Sequence, residues 1–503
     1  GRAASIISRM DTLPAEVYSA ASVRAMDRRA IEREGIPGYT LMERAGAAAL
    51  DALRRHWPAA RAIAILCGAG NNAGDGYVVA RLARAAGIDV RTAALGHPAK
   101  LAGDAARAHA DFTAAGGRTV AFDDDVLAGA DVVVDALLGI GLDRPVEGAY
   151  RACIERVNRA RRPVLAMDIP SGLHADTGVA LGAAIRATRT LSFIALKSGQ
   201  YLGDAPDCVG ALELADLAVP PAVRDGEPPV LRRINPALAA SALPPRRRSA
   251  HKGDHGRLLV VGGFVMAGAA RLAGEAAMRT GAGLVTIATA AQSLAPILEA
   301  RPELIARVVE SPADLEPLAK AADAVAVGPG LGTDARGRAM FEATLKLGRP
   351  LVVDADALTL LAGEPTRRED WILTPHPGEA GRLLGTDAAA VQRDRLGAVR
   401  AIASRYGGAC VLKGARTLVQ AGEGAALVCD RGNPGMATAG CGDALTGILA
   451  ALVAEGTPPP LAAAAGAWVH ATAGDRAARA GERGMIAGDL IAEIRAVVNA
   501  PWN

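Results

Sequence analysis

The sequence predicts the α/β fold class: two three-layer α/β/α domains, each a largely parallel sheet between helices. Three observations carry this. Short apolar runs rich in Val and Ile recur along the chain, helical patterns separate them, and each run empties into a polar or Gly-rich loop. Half of the residues are hydrophobic while only 3% are aromatic, and Ala and Gly abound, which suits helices packed closely on a parallel sheet. The 503 residues exceed one ordinary core, and length alone suggests about three domains. A Pro-rich stretch over 221–247, containing Pro220-Pro221, Pro228-Pro229, Pro244-Pro245 and the run Arg246-Arg247-Arg248, reads as a linker between domains at 1–220 and 248–503.

In the first half, residues 16–56 read as helices from the mixed apolar and charged periodicity of 22–27 and 41–46. A buried strand follows at 61–66, then CGAGNNAGDG and a helix predicted over 77–86. Strand, Gly-rich turn and helix together make a phosphate-binding geometry. It is not the dinucleotide fingerprint, because the spacing is GxGxxxG and the next strand, 89–95, ends in Gly96-His97 with no acid for a ribose hydroxyl. Further strands at 131–138, 163–167 and 191–196 end in GIGLDRP, DIPSGL and KSG. Parallel sheets place their sites at such strand ends, so Asp75, Asp135, Asp168 and Ser171 are candidates to converge.

The second half opens with HKGDHGRLLVVGG and a strand at 257–261. Strands at 284–288, 324–327, 350–353, 371–373 and 410–412 follow, the last four ending in GPGLG, DADA, TPHPGE and KGART. His251 and His255 are four apart, but Gly253 and Gly256 argue against a helix that would turn them into a metal pair. Five glycines crowd GNPGMATAGCGDALTG, at 432, 435, 440, 442 and 447, around Asp443. Leu445, Ile448, Leu449, Leu452 and Val453 then fall at helical spacing, predicting a helix with one buried face. Such a loop at a helix N-terminus offers backbone N–H groups and a positive dipole end to an anion. Asp443 there can cap the helix or act as a base beside that anion.

Net charge of +3 gives no basic field for nucleic acid, and no apolar run reaches the roughly eighteen residues of a membrane span. Six scattered cysteines (67, 153, 208, 410, 429 and 441) without a CxxC pair predict reduced thiols. With no leader segment in view, the expectation is a soluble, cytoplasmic protein.

The set GNNAGDG, VDALLGIGLDRP and DIPSGL, over about residues 15–220, resembles the NAD(P)HX epimerase domain of the YjeF N-terminal family. The resemblance implies a Rossmann-like domain in which Asn71, Asn72, Ala73, Gly74 and Asp75, with Gly139, Ile140, Gly141, Leu142, Asp143, Arg144 and Pro145, cradle the hydrated nicotinamide dinucleotide. It makes Asp168 the acid or base at the reacting ring, and Asn72, Asp135 and Ser171 the ligands of a K⁺ ion. Ala73 stands where the family often has Gly, a methyl expected to tighten the loop.

The order HKGxxG, VGG, GPGLG, DADAL, TPHPGE, KGART, GNxGMAT and GCGD resembles the ADP-dependent NAD(P)HX dehydratases of the ribokinase-like superfamily over 232–503. That resemblance implies contacts to the hydrate from Ala269, Gly330 or Gly332, His376 and Asp443. It assigns ADP or AMP to Lys413, Gly414, Ala415, Arg416, Thr417 and Gly442, and makes Asp443 the catalytic base, with Mg²⁺ accompanying the nucleotide. The family usually has GGxGD where Ala439-Gly440-Cys441-Gly442-Asp443 stands here. Together the two halves imply repair of both C6 epimers of NADHX and NADPHX by one chain, expected as a homo-oligomer. The competing readings are a ribokinase-like small-molecule kinase behind a non-catalytic nucleotide-binding module, which GCGD alone would fit, a first half that only binds or scaffolds, and a dehydrogenase, which the missing ribose acid disfavours.

Overall fold

The computed structural model describes residues 13–299 and 301–500; residues 1–12, 300 and 501–503 of the predicted domains lie outside the described residues. The chain folds as two compact units, residues 1–231 and 232–503.

The first unit begins with a short strand, β1 (Glu16–Tyr18), and two helices, α1 (Ala20–Glu32) and α2 (Gly38–His56). The expectation of helix throughout 16–56 therefore misses β1, whose three residues are too few to show a period. Then come β2 (Ala62–Cys67), α3 (Asn71–Ala85), β3 (Asp89–Ala94), α4 (Gly103–Ala114), β4 (Thr119–Ala121), β5 (Val132–Ala136), α5 (Gly148–Ala160), β6 (Val164–Met167), β7 (Arg189–Phe193), β8 (Leu196–Lys197) and β9 (Ala211–Ala215). Seven of these strands form a sheet in the order β4-β3-β2-β5-β6-β7-β9. Every pairing in it is parallel. β2 leads to β3 on one side and has β5 on the other, so the strand order reverses between β2 and β5. Ligands of open α/β sheets bind in the crevice at such a switch point.

The GNNAGDG stretch is helical rather than a turn: α3 starts at Asn71, not at 77. Tertiary packing overrides the low helix propensity of glycine here. A Cβ on Gly74 would come within 2.6 Å of the Met42 side chain, and one on Gly76 within 2.7 Å of Ala136, so these glycines let α3 press onto α2 and the sheet. The strand expected over 191–196 also breaks. Ile194 takes a left-handed φ of 65°, and the chain leaves β7 to pair β8 with β1.

The second unit contains β10 (Arg257–Val261), α6 (Ala267–Thr280), β11 (Leu284–Thr289), β12 (Ile305–Val308), β13 (Ala324–Val327), α7 (Ala335–Leu345), β14 (Leu351–Val353), α8 (Asp356–Gly363), β15 (Trp371–Leu373), α9 (Pro377–Leu384), α10 (Arg395–Tyr406), β16 (Ala409–Leu412), β17 (Leu418–Ala421), β18 (Ala426–Val428), α11 (Cys441–Ala454), α12 (Pro459–Ala477) and α13 (Ala487–Val498). Its strands run β12-β11-β10-β13-β14-β15-β16-β17-β18. They are parallel up to β16, after which β17 and β18 turn back antiparallel.

Helix α11 is buried along almost its whole length, not on one face as its leucine spacing suggests. Gly447, Ala450 and Ala451 among the positions between the leucines are small enough for α6 and α12 to pack closely on the other sides. A Cβ on Gly447 would lie 2.0 Å from the carbonyl oxygen of Ala273 on α6, so that crossing requires glycine. The 221–247 stretch holds a 3₁₀ turn at Pro221–Arg224, a strand at Leu231–Arg233 and a helix at Pro236–Ser241. Within the second unit, buried Arg233 pairs with buried Asp430 at 2.7 Å. Arg246 of the triple-Arg run pairs with Glu455.

Candidate active sites

A cavity of about 940 Å³ opens at the switch point of the first unit. The loop after β2, the loop after β5, Asp168 after β6, and the inner faces of α1 and α2 line it. The structure thus gathers most of the predicted cradle: Asn71, Asn72, Asp75, Asp168 and all of Gly139 to Pro145 are on its wall. The N-terminus of α3 reaches it with no side chain capping the first N–H groups, a natural seat for a negatively charged ligand. Ala73 and Gly74 turn the other way. Ala73 is fully buried in the core with α2 and β2, so its methyl packs the interior and does not tighten the loop.

Asp168 is a strained residue of this site. Its φ of +65° is left-handed, a conformation that costs a non-glycine residue about 1–2 kcal/mol. The surrounding structure holds it there. Gln200 donates to its carbonyl oxygen at 2.7 Å and the Phe193 N–H to its Oδ1 at 3.0 Å. The ammonium of fully buried Lys197 closes an ion pair with the same Oδ1. Lys197 is itself fixed by Ser192 Oγ at 3.0 Å and the Phe193 carbonyl oxygen at 2.9 Å. Burial pushes the Lys197 amine down, and the Asp168 carboxylate opposes that. Lys197 has no place among the sequence-predicted site residues, although KSG at the end of the expected 191–196 strand was the available signal. Asp27 of α1 and Asp104 of α4 also line the cavity and were not predicted.

Asn72, Asp135 and Ser171 come together beside the cavity. Ser171 donates to Asp135 from Oγ at 2.5 Å and from its N–H at 2.8 Å. Asn72 donates through Nδ2 to the Leu138 carbonyl oxygen at 3.1 Å, and its Oδ1 is buried without a hydrogen-bond partner among the described residues. Burial pushes Asp135 up to about 6. An orphaned amide oxygen beside a carboxylate, a hydroxyl and a carbonyl is an all-oxygen donor set of the kind hard cations take.

In the second unit Asp443 stands in the first turn of α11. Gly440, at φ 88°, turns the chain into that helix, and no side chain caps its N-terminus. Burial first, and then the neighbouring Asp354, push Asp443 up to about 7. Asp354, buried at the end of β14, organises the floor beneath it: Lys413 Nζ lies 2.7 Å from its Oδ1 and Thr446 Oγ1 donates to its Oδ2 at 2.6 Å. Burial disfavours the Asp354 charge, but Lys413 and Thr446 more than offset this and hold its carboxyl below the usual range. Lys413 Nζ is also 3.7 Å from Glu379.

The remaining predicted residues surround this floor. His376 caps α9, accepting the Gly378 N–H at 2.9 Å on Nδ1; burial, then Lys413, lower its affinity for a proton. The Gly332 N–H donates to Asp356 at 2.8 Å, and Gly330 packs so closely on the Met266 carbonyl oxygen that a Cβ would meet it at 2.3 Å. Ala269 follows in the first turns of α6. On the far side Gly414 and Ala415 are exposed, Arg416 takes a left-handed φ of 59°, and Thr417 Oγ1 closes the turn onto the Gly414 carbonyl oxygen at 3.2 Å. A Cβ on Gly442 would lie 3.5 Å from Lys413 Nζ, which joins the KGART loop to the Asp443 loop. Lys413 itself points inward to the acids. Asp354 and Thr446 are the functional neighbours that motif reading leaves without a role. Also unforeseen is buried His470, whose Nε2 lies 2.8 Å from the Cys441 carbonyl oxygen and which burial lowers to about 4.

Comparison with known proteins matches both units of the chain. The family model described as YjeF-related protein N-terminus covers residues 38–199, and that described as NAD(P)H-hydrate dehydratase covers 258–496. A bifunctional NAD(P)H-hydrate repair enzyme, Nnr, from Coxiella burnetii is 44% identical over 96% of this chain and 99% of that protein. The chain belongs to the bifunctional NAD(P)H-hydrate repair enzymes. Another member, Nnr of Escherichia coli, is 43% identical over 97% of this chain and 95% of its own. Among solved structures, a hypothetical protein, SMU.573, from Streptococcus mutans superposes with a TM-score of 0.50 at 29% identity, covering 53% of this chain and 98% of its own. As in the other repair enzymes matched, both halves are present in one chain. Among the described residues, no helix is long and apolar enough to cross a membrane.

Proposed function

We propose that the first unit interconverts the C6 epimers of NAD(P)HX and that the second dehydrates the S epimer to NAD(P)H at the expense of ADP, releasing AMP and phosphate. The observation that carries this is the pairing, in one member of the repair-enzyme family, of an Asp168 cavity with an Asp443 floor. The kinase reading explains the second site but leaves the first without a purpose.

In the second unit Asp443 takes the proton of the C6 hydroxyl, and the hydroxyl oxygen attacks the terminal phosphoryl group of ADP. An acid raised to about 7 is partly ionised at neutral pH and near its best strength as a base. Uncapped N–H groups at the start of α11 take up the negative charge that develops on the phosphoryl oxygens. Phosphate then leaves C6 in place of hydroxide, and loss of the C5 proton restores the double bond. In this reading Ala269, Gly330, Gly332 and His376 face the hydrate, and Lys413, Gly414, Ala415, Arg416, Thr417 and Gly442 face the nucleotide. Mg²⁺ bound to phosphates asks a protein for one or two carboxylates, and Glu379, 3.7 Å from Lys413 Nζ, would supply one. When bound, it would neutralise phosphoryl charge.

In the first unit Asn71, Asn72, Asp75 and the 139–145 loop hold the dinucleotide, and Asp168 meets the ring. K⁺ would sit at Asn72, Asp135 and Ser171, where the orphaned Asn72 oxygen fits it, and would brace the two loops that form the cavity wall. A cytoplasmic homo-oligomer acting on NADHX and NADPHX completes the reading, with no nucleic-acid or membrane partner.

The test is recovery of NADH absorbance from mixed R and S hydrates with Mg²⁺, K⁺ and ADP or ATP. Wild type is expected to repair both epimers, Asp443→Ala neither, and Asp168→Ala only the S form beyond the slow spontaneous background. Nucleotide consumption without NADH would overturn the reading in favour of a small-molecule kinase.

A further inference from the structure

Two carboxyls on the wall of the first cavity differ sharply in their surroundings. Asp168 has a buried ammonium and a backbone N–H on its carboxylate. Asp75, half-buried on the second turn of α3, faces the same space with no hydrogen bond or ion pair to its side chain among the described residues. The charged groups that bear on it are both acids, Asp168 from the β6 loop and Asp27 from α1. Burial, then Asp168, then Asp27, raise Asp75 well above the ordinary carboxylate range. Asp27 is a weaker candidate for the same task because Arg28 and Lys197 pull against its upward shift. Arg24, Asp104, Asp143, Arg144 and Glu147 complete the charged wall.

One route to epimerising a carbon that bears both a hydroxyl and a nitrogen takes the oxygen off one face and returns it to the other. Hydroxide leaves poorly unless it is protonated, and the incoming water must lose a proton. One neutral carboxylic acid and one carboxylate in a single cavity meet both needs, and environments that separate two acids in this way mark the acid and the base.

We propose that Asp75 is the second catalytic residue of the epimerase reaction, a neutral acid working against the Asp168 carboxylate. This rests on the epimerase reading of the first unit. Asp75 gives its proton to the C6 hydroxyl, the C6–O bond breaks with its electron pair leaving on water, and the N1 lone pair forms an N1=C6 bond. A water on the opposite face then bonds to C6 and passes its proton to Asp168, while the N1=C6 pair returns to N1. The ring keeps its C5 hydrogens, so the product is the other epimer and not NAD(P)H. In the reverse direction the carboxyls exchange roles, and solvent water returns the proton between turnovers. Lys197 is the positioning residue that keeps Asp168 in its left-handed conformation.

The experiment uses the full chain and purified R-NADHX, with and without H₂¹⁸O. Asp75→Asn is expected to lower kcat for epimerisation at least about 100-fold, the scale of general acid catalysis. The melting curve and dehydration of S-NADHX should stay unchanged, which shows that the variant folds. The wild-type rate should fall as pH rises through the Asp75 ionisation, and the residual rate of Asp75→Asn should lack that fall. In H₂¹⁸O each epimerisation should carry one solvent oxygen to C6. An Asp75→Asn variant within tenfold of wild type, a loss confined to KM, or epimerisation that outruns oxygen exchange would each overturn the proposal while leaving the epimerase reading in place. A wild type that does not epimerise would overturn both.

Discussion

The two sites are built from the same parts and wired differently. Each has an aspartate in its site and a lysine drawn into an ion pair there. In the first unit the lysine touches the reacting acid directly: Lys197 is on Asp168. In the second, Asp354 comes between: Lys413 is drawn onto Asp354, and Asp443 is left with burial and a neighbouring anion, which raise it to about 7. The same two residue types therefore yield a fixed ion pair in one unit and an acid that titrates near neutrality in the other. What such an aspartate can do is set by which partner claims the lysine.

The largest test of that contrast is Asp443→Asn. It should lower dehydration by about 10³-fold, within the range for loss of a general base, and leave epimerisation intact, as read by NADH recovery from pure S and R hydrates. In wild type, dehydration should rise with pH through about 7, because only the ionised form of Asp443 accepts a proton. The same raised value means that ligand-free folding stability contributed by Asp443 is present at low pH and lost as pH rises through about 7. Epimerisation should lack this rise at 7.

Lys197→Met comes next. It frees Asp168 from its only ion-pair partner among the described residues and should slow epimerisation about 10²-fold through misplacement of the carboxylate. Breaking one side of a buried pair also costs about 3–5 kcal/mol, visible as a lower denaturant midpoint, while S-hydrate dehydration persists wherever the protein is folded.

Asp354→Asn asks whether the second site can be rewired like the first. With Asp354 neutral, Lys413 is free to turn to Asp443, and an anion that raises Asp443 is gone. Both effects lower it, so the rising limb of the dehydratase pH profile should move to lower pH. The kcat should fall by roughly tenfold, a smaller misplacement than loss of the base itself.

The smallest expected effect separates the two units' packing. Gly46→Ala meets the β-branched Val78 side chain at 2.4 Å, whereas Gly447→Ala meets the Ala273 backbone oxygen at 2.0 Å. The second should cost about 1–3 kcal/mol and the first less, read as melting temperatures of the two variants.

Much of the second site was legible in the chain, because loops such as KGART and GCGD act largely through backbone shape and local glycines. Asp443 could be named from its loop. The role of Asp354 could not, since it depends on Lys413 and Thr446, which lie 59 and 92 positions away. In the first unit the loops at 71–75 and 139–145 were found, but the first was taken for a turn and proves to be helix. Its glycines answer to Met42 and Ala136 rather than to the ligand. Residues 71–75 therefore split by helical phase, with Asn71, Asn72 and Asp75 toward the cavity and Ala73 and Gly74 toward the core.

By itself the sequence determined the fold class, the alternation of strands with helices, and the aspartates at the strand ends, because periodicity and glycine placement are local properties of the chain. Only the tertiary structure decided which lysine meets which acid, which carboxyl is left unpartnered in the cavity, and that α11 is buried on every side. Those outcomes depend on charges and surfaces brought together from distant positions, and burial multiplies their energies in ways that no local pattern records.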